Sequence, residues 1–141
     1  MKKYDILPHT ADGKFRAWGR TLEEAFANAA LATASLMWDW EKVEPKLSQA
    51  VRLEGRDREQ LLVKFLGEII FLFETRKFLL ASVDGLEIRD VPDGFFLEAE
   101  FRGDTLSDRR DIHGDVKAVT YSEMKIDEER GGVVLQVVVD M

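Results

Sequence analysis

Residues 133–141 read Val-Val-Leu-Gln-Val-Val-Val-Asp-Met, and this apolar run predicts a buried β-strand. Because a terminus that directly follows a buried strand is tied down, we expect the backbone carboxylate of Met141 to be held in place. Asp140 adds a second carboxylate beside it. Two carboxylates fixed together repel each other unless one takes a proton or a cation lies between them. The segment is therefore a candidate ion site.

Composition and charge narrow the class of protein. The chain has 141 residues, of which 45% are hydrophobic and 33% charged, so we expect one globular domain over 1–141. It has no cysteine, which excludes disulfides, thiolate metal sites and cysteine nucleophiles. The net charge of -7 argues against a general phosphate-binding surface, so no direct nucleic-acid binding is expected. Without a signal peptide or a membrane-spanning run, we predict a cytoplasmic protein with no membrane contact.

Two helices are predicted. Thr21 and Glu24 have the spacing of a capping box, and apolar residues recur at helical spacing from there to Met37. The second helix begins near Asp57 and continues to Phe73, with apolar residues over most of its circumference. Such a helix is either buried on nearly all sides or has a face that docks on a partner, and we favour burial.

The remaining elements are predicted strands joined by turns, including hairpin-type turns at 92–94 and 129–132. We therefore predict an α+β fold, in which a mixed or antiparallel β-sheet has both helices packed mainly on one face. The predicted strands are 4–8, 14–19, 49–54, 78–83, 86–91, 95–102, 116–126 and 133–139.

The turn His9-Thr10-Ala11-Asp12 follows the first strand. Read simply, it is a turn whose polar side chains bond their own backbone. Strands from opposite ends of a chain are often neighbours in a sheet, however, so Asp12 has the opportunity to meet Asp140. Together with Met141 they would offer only carboxylate oxygens, which suit Ca²⁺ or Mg²⁺ rather than zinc. The sequence shows no convincing general base near such a site, and His9 is the one residue there that could act as a base.

A second polar cluster runs from Asp108 to Asp115 and contains His113. Its mixed charges are typical of a solvated loop. The alternative is a loop that contacts a partner, on a surface extended by Lys117, Thr120, Tyr121 and Glu123. The chain has no phosphate-binding glycine loop and no serine or cysteine nucleophile motif.

Several segments, in order along the whole chain, give a resemblance to the archease family. They are His9-Thr10-Ala11-Asp12, Ala17-Trp18-Gly19, Thr21-Leu22-Glu23-Glu24-Ala25-Phe26, Leu61-Leu62, Lys117-Ala118-Val119-Thr120-Tyr121 and Val139-Asp140-Met141. The chain departs from the family pattern at Gly13-Lys14, where Val-Gly is usual, and at Ser122, where a histidine is common.

The resemblance implies an accessory protein without catalysis of its own. Such a protein promotes the guanylylation and turnover of the RNA ligase RtcB in tRNA splicing or RNA repair. The resemblance also implies a bound divalent ion, most commonly Ca²⁺, held by Asp12, Asp140 and Met141. These properties become the leading expectation.

Two other functions are compatible with the residues. The first is a chaperone-like modulator of a tRNA methyltransferase, acting through its apolar second helix. The second, which ranks lower, is a metal-dependent hydrolase that uses Asp12 and Asp140 with His9 as base.

Overall fold

The computed structural model of the protein describes residues 2–9, 12–107 and 111–141. Two α-helices and eight strands lie within these residues, together with a short 3-10 turn at Trp40–Lys42. In chain order they are β1 (Tyr4–Leu7), β2 (Gly13–Gly19), α1 (Leu22–Ser35), β3 (Leu47–Gly55), α2 (Arg58–Arg76), β4 (Phe78–Val91), β5 (Gly94–Thr105), β6 (Ala118–Val119), β7 (Lys125–Glu129) and β8 (Gly132–Asp140).

The strands form two antiparallel sheets, so the predicted α+β class is confirmed. In the five-stranded sheet the order is β1-β2-β8-β6, and β7 also pairs with β8. The second sheet has the order β3-β5-β4. We predicted a single sheet, whereas the structure divides the strands between two. Helix α1 packs on β2, β4 and β8, and α2 packs mainly on β3 and β4, so the core lies between helices and sheets.

Strand β8 lies in the middle of the five-stranded sheet. Its odd-numbered residues from Val133 to Val139 point toward α1 and are buried. Phe15 and Ala17 of β2 are fully buried on the same face. Small residues on α1, including Ala25 and Ala29, let the helix lie close to this face.

Both predicted helix starts are confirmed by their hydrogen bonds. The Thr21 side chain accepts a hydrogen bond from the Glu24 amide, and the Asp57 side chain accepts one from the Gln60 amide. Each cap has a second bond, in which the Glu24 or Gln60 side chain accepts from the backbone amide four residues earlier. These bonds satisfy amides that a helix start leaves free, and they fix where each helix begins.

Two strand boundaries differ from the prediction. Residues 78–83 and 86–91 belong to one long strand, β4, whose irregularity is absorbed by register shifts and by Gly85 at φ 57°. Segment 116–126 contains two short strands instead of one, because Thr120–Met124 bulges away from β8. The interruption includes Glu123 in the left-handed region at φ 52°, a conformation that a regular strand does not have.

Helix α2 buries one side in the core but not nearly all sides as we favoured, since residues such as Lys64 and Glu74 are exposed. Seven of its apolar residues are buried, whereas Phe71 is 53% exposed. Phe65 stacks near Phe26 of α1 and Phe101 of β5, with ring centroids 5.8 and 5.5 Å apart. Across the described ranges, neither helix has the length and hydropathy needed to cross a bilayer.

Two glycines give a matched test of this packing. A Cβ on Gly19 would lie 2.2 Å from the Ala25 backbone nitrogen, whereas a Cβ on Gly67, inside α2, would meet nothing within 4 Å. We expect Gly19→Ala to lower the free energy of unfolding by about 2 kcal/mol or more, because backbone must move. Gly67→Ala should raise it by about 0.5–1 kcal/mol. Urea unfolding measures the free energy of unfolding of both variants. If Gly19→Ala left this free energy unchanged, the close contact between α1 and β2 would be contradicted.

Candidate functional site

The register between β2 and β8 brings the segments of the two predicted aspartates to one end of the sheet. Gly13, the first residue of β2, pairs with Val139 of β8. Asp12 precedes Gly13 and lies just outside β2, whereas Asp140 follows Val139 and pairs with Ala118 of β6. Asp140 is exposed and Asp12 is partly exposed. Both aspartates therefore adjoin the last pair of the β2–β8 ladder.

Backbone bonds and packing hold the end of β8. Lys117 donates its backbone N–H to the Asp140 carbonyl oxygen at 2.7 Å. The Met141 side chain is partly buried against the core and lies between two glycines. An added Cβ would lie 2.9 Å from its sulfur if placed on Gly13, and 3.5 Å from its terminal methyl if placed on Gly114. The two glycines thus make room for Met141, and this packing sets the direction of its backbone.

His9 lies beside Asp12 with one ring nitrogen unsatisfied. Its Nδ1 atom is 3.9 Å from an Asp12 carboxylate oxygen. Nδ1 is buried and has no hydrogen-bond partner among the residues that the structure describes. Buried polar atoms are rarely left without a partner, and those that are commonly mark a functional site or a bound water or ion. This observation, with the oxygen-only donor set, fits the predicted cation site.

A bulge in the edge of the sheet covers the neighbouring part of β8. Between β6 and β7, the five residues Thr120–Met124 stand opposite only Val137 and Val138. The bulge is held to β8 because the Gln136 side-chain amide donates to the Glu123 carbonyl oxygen at 2.8 Å. Thr120 also bonds the Val138 carbonyl through its hydroxyl. Gln136 and Val138 are consequently buried although they lie on the outer face.

The Glu123 side chain connects this bulge to the β1–β2 segment, and we call His9, Lys14 and Glu123 the Glu123 clamp. The Lys14 ammonium donates to one carboxylate oxygen at 3.0 Å. The His9 Nε2 atom lies 3.1 Å from the other oxygen. The hydrogen bond from Lys14, followed by that with His9, lowers the pKa of Glu123 below its ordinary 4.5. The clamp therefore crosses β8 next to the two aspartates.

The structure brings Asp12, Asp140 and Met141 to one end of the sheet. Within 2–9, 12–107 and 111–141, no three His, Cys, Asp or Glu side chains converge as a metal-binding group. The predicted set contains only two such side chains, since its third donor is the backbone carboxylate of Met141. Its role as a metal site stays a prediction.

The second polar cluster is only partly visible, because Asp108 to Arg110 lie outside the described residues. Ile112 forms a bridge with Trp38, and His113 donates its backbone N–H to the Met37 carbonyl oxygen at 2.9 Å. The His113 side chain is exposed. Backbone bonds thus attach this loop to the end of α1. Tyr121, from the proposed partner-contact surface, is 53% exposed.

The clamp was not predicted from the sequence. Glu123 had been assigned to a partner-contact surface, and its bonds to His9 and Lys14 join residues 114 and 109 positions apart. No spacing rule indicates such contacts. The bulge that brings Glu123 into reach depends on backbone conformation rather than on a residue motif.

Comparisons with known proteins show the family of this chain. The model of the Archease protein family matches residues 4–141. This chain belongs to the archease family. Protein archease of Methanosarcina mazei is 38% identical over 141 residues, covering 99% of this chain and 97% of that protein. Protein archease of Pyrobaculum neutrophilum is 39% identical, covering 98% and 95%.

The archease fold is confirmed by a solved structure. The solution structure of Methanobacterium thermoautotrophicum protein 1598 aligns over 100% of both chains, with a TM-score of 0.86 and 32% identity. Gly13-Lys14 and Ser122, the positions at which this chain departs from the archease pattern, lie close together in the structure. Lys14 bonds Glu123, the neighbour of Ser122, and Gly13 leaves the space that the Met141 side chain occupies.

The Glu123 clamp can be tested with Glu123→Gln, which keeps the size of the side chain but removes its charge. We expect faster amide hydrogen exchange in 120–124 with little change in global stability, because exposed ion pairs contribute little. Since the pKa of Glu123 is lowered, the clamp contributes fully above pH 4.5 and is lost as pH falls through the folded-state value. The amide exchange rates of wild type and variant in 120–124 should therefore become equal in acid. Equal exchange rates at neutral pH would refute the clamp.

Proposed function

We propose that this archease is a metal-binding accessory protein that activates the RNA ligase RtcB in tRNA splicing or RNA repair. It promotes guanylylation and repeated turnover of the ligase and catalyses no reaction itself. It acts in the cytoplasm. The observation that supports the proposal is the β2–β8 register, which pairs Gly13 with Val139 and so brings their chain neighbours Asp12 and Asp140 to the same end of the sheet in a chain of this family.

The charge of the site supports a bound cation. Asp12 and Asp140 adjoin the paired residues Gly13 and Val139, and the Met141 carboxylate adds a third negative group at this end of the sheet. Like charges held close together are unfavourable unless a cation offsets them. Three carboxylates provide the hard oxygen donors that Ca²⁺ prefers, so Asp12, Asp140 and Met141 would hold it. When bound, a divalent ion would offset two of the three negative charges and supply the ligase with a coordinated cation at this end of the sheet.

The chain's own residues prepare the surface for a partner. The backbone bond from Lys117 fixes Asp140, and the clamp holds His9 beside Asp12. A surface that is ordered before binding loses less conformational entropy on association. This end of the sheet therefore presents its carboxylates in a set arrangement.

The methyltransferase alternative depended on an apolar face of the second helix. Seven apolar residues of α2 are buried in the core. Burial removes most of the surface on which that function relied, so the carboxylate end of the sheet is the better supported partner site.

Asparagine substitutions test the ion site. We expect Asp12→Asn and Asp140→Asn to weaken Ca²⁺ binding at least about 10- to 100-fold, since losing even an outer-shell partner has that effect. Isothermal titration calorimetry measures the affinity. Asp90→Asn, an exposed position on β4 in the other sheet, is the matched control and should bind like wild type.

The same three variants test activation of the ligase. Guanylylation and multiple-turnover ligation by RtcB should be stimulated by wild type and Asp90→Asn, but not by Asp12→Asn or Asp140→Asn. Full stimulation by either site variant would reject the role of the ion. If wild type itself gives no stimulation, the ligase is not the partner.

The third donor is tested by extending the chain. Residues added after Met141 convert its carboxylate into an amide carbonyl and remove one negative charge from the site. We expect weaker Ca²⁺ binding and weaker ligase stimulation. The same residues added before Met1 should change neither. Unchanged Ca²⁺ affinity after the C-terminal extension would exclude Met141 as a ligand.

A further inference from the structure

The outer face of the five-stranded sheet carries a depression far along β8 from the aspartates. One cavity of about 450 Å³ and another of about 300 Å³ share the lining residues Trp18, Glu129 and Val134, so the two cavities adjoin each other. A volume of this size is typical of small-molecule sites. We call it the Trp18 trough, and its charged lining residues are Lys2, Asp5, Arg16, Arg20, Lys125, Asp127, Glu129 and Arg130.

The trough is positively charged in an acidic protein. Five of its charged side chains are cationic and three are acidic, which gives a local charge of +2 against -7 for the whole chain. The general charge argument against nucleic acid thus does not hold for this surface. Cations gathered on one face attract an anionic ligand locally, even when the net charge is negative.

The arginines of the trough lack carboxylate partners. In the part of the chain that the structure describes, Arg16, Arg20 and Arg130 make no ion pair. Among the described arginines elsewhere, only Arg76 shares this property, while five are paired: Arg52, Arg56, Arg58, Arg89 and Arg102. Arg16 donates to the Gln136 side-chain oxygen at 3.0 Å, so among the three arginines the guanidinium groups of Arg20 and Arg130 are the ones available to bind phosphate.

An aromatic side chain lines the trough together with these cations. Trp18 lies on the outer face because its neighbour Ala17 points into the core, and it is partly exposed. Val134 is its facing partner on β8. An indole beside guanidinium groups matches a ligand in which planar rings alternate with phosphates. An acidic peptide would use the cations but not the indole.

We propose that the Trp18 trough binds a short single-stranded RNA segment, with a base stacked on Trp18 and phosphates bound by Arg20 and Arg130. Stacking on an aromatic residue combined with backbone contacts to cations is how proteins hold single strands without reading their sequence. The trough lies apart from the carboxylates of Asp12 and Asp140. The protein thus has one surface for an ion and a partner, and another for RNA.

The test measures fluorescence anisotropy of a labelled oligouridine of about six nucleotides. The assay contains neither ligase nor Ca²⁺, so its outcome is independent of the proposed function. Wild type should bind at low salt. Trp18→Leu should weaken binding about tenfold, whereas Trp18→Phe, which keeps an aromatic face, should bind nearly as wild type does.

The cations are tested by a charge-matched pair of double variants. Arg20→Ala with Arg130→Ala should reduce affinity and make the slope of log affinity against log salt shallower by about 1.4. Arg52→Ala with Arg76→Ala removes the same charge outside the trough and should have little effect. Equal losses in the two double variants would overturn the site. The site would also be overturned if Trp18→Leu left the affinity for oligouridine unchanged or if wild type did not bind oligouridine. Equally tight binding of a glutamate peptide of similar charge would overturn it as well.

Discussion

The pairing of β8 with strands on both of its edges is the constraint on which the rest of the structure depends. On one edge β2 pairs with β8 from Gly13–Val139 to Gly19–Val133, and on the other β6 and β7 share its length. Because side chains alternate across a strand, this one register decides which residues enter the core and which face outward. A slip by one residue would bury Asp140 and expose Val139. The core therefore fixes the pairing of Gly13 with Val139, and with it the end of the sheet at which Asp12 and Asp140 lie.

The outer face of the same sheet divides into regions of opposite character. At one end lie Asp12 and Asp140, and at the other lies the Trp18 trough, with the Glu123 clamp between them. Alternation along β2 places residues 14, 16 and 18 on this face in turn, and Asp12 directly precedes the strand, so one segment of the chain contributes to all three regions. The distances between the regions are thus set by the rise of a strand. A ligand at one end and a ligand at the other would be held at a constant separation.

Most of the fold could be predicted from the sequence because its signals are local. The caps at Thr21 and Asp57 and the apolar run of β8 each depend on a few neighbouring residues, and the structure confirms them. The split into two sheets and the bulge at Thr120–Met124 depend on contacts between distant segments, which no local pattern encodes. The candidate ion ligands came from the position of two aspartates beside strands and from the family resemblance. The clamp was missed because it requires the left-handed conformation of Glu123.

The central position of β8 also affects the order in which the fold can form. Arg16 and Gln136, which bond across β2 and β8, lie 120 positions apart in the chain. Every other strand of this sheet is synthesised before β8. The β2 edge of the β1–β2 hairpin therefore stays unpaired until β8 has been synthesised. Closing such a long loop costs entropy before any pairing is gained, and exposed strand edges favour association with other chains. Formation of the five-stranded sheet should therefore be the slow step of folding. This sheet is also the part of the chain that most needs protection from association with other chains during synthesis.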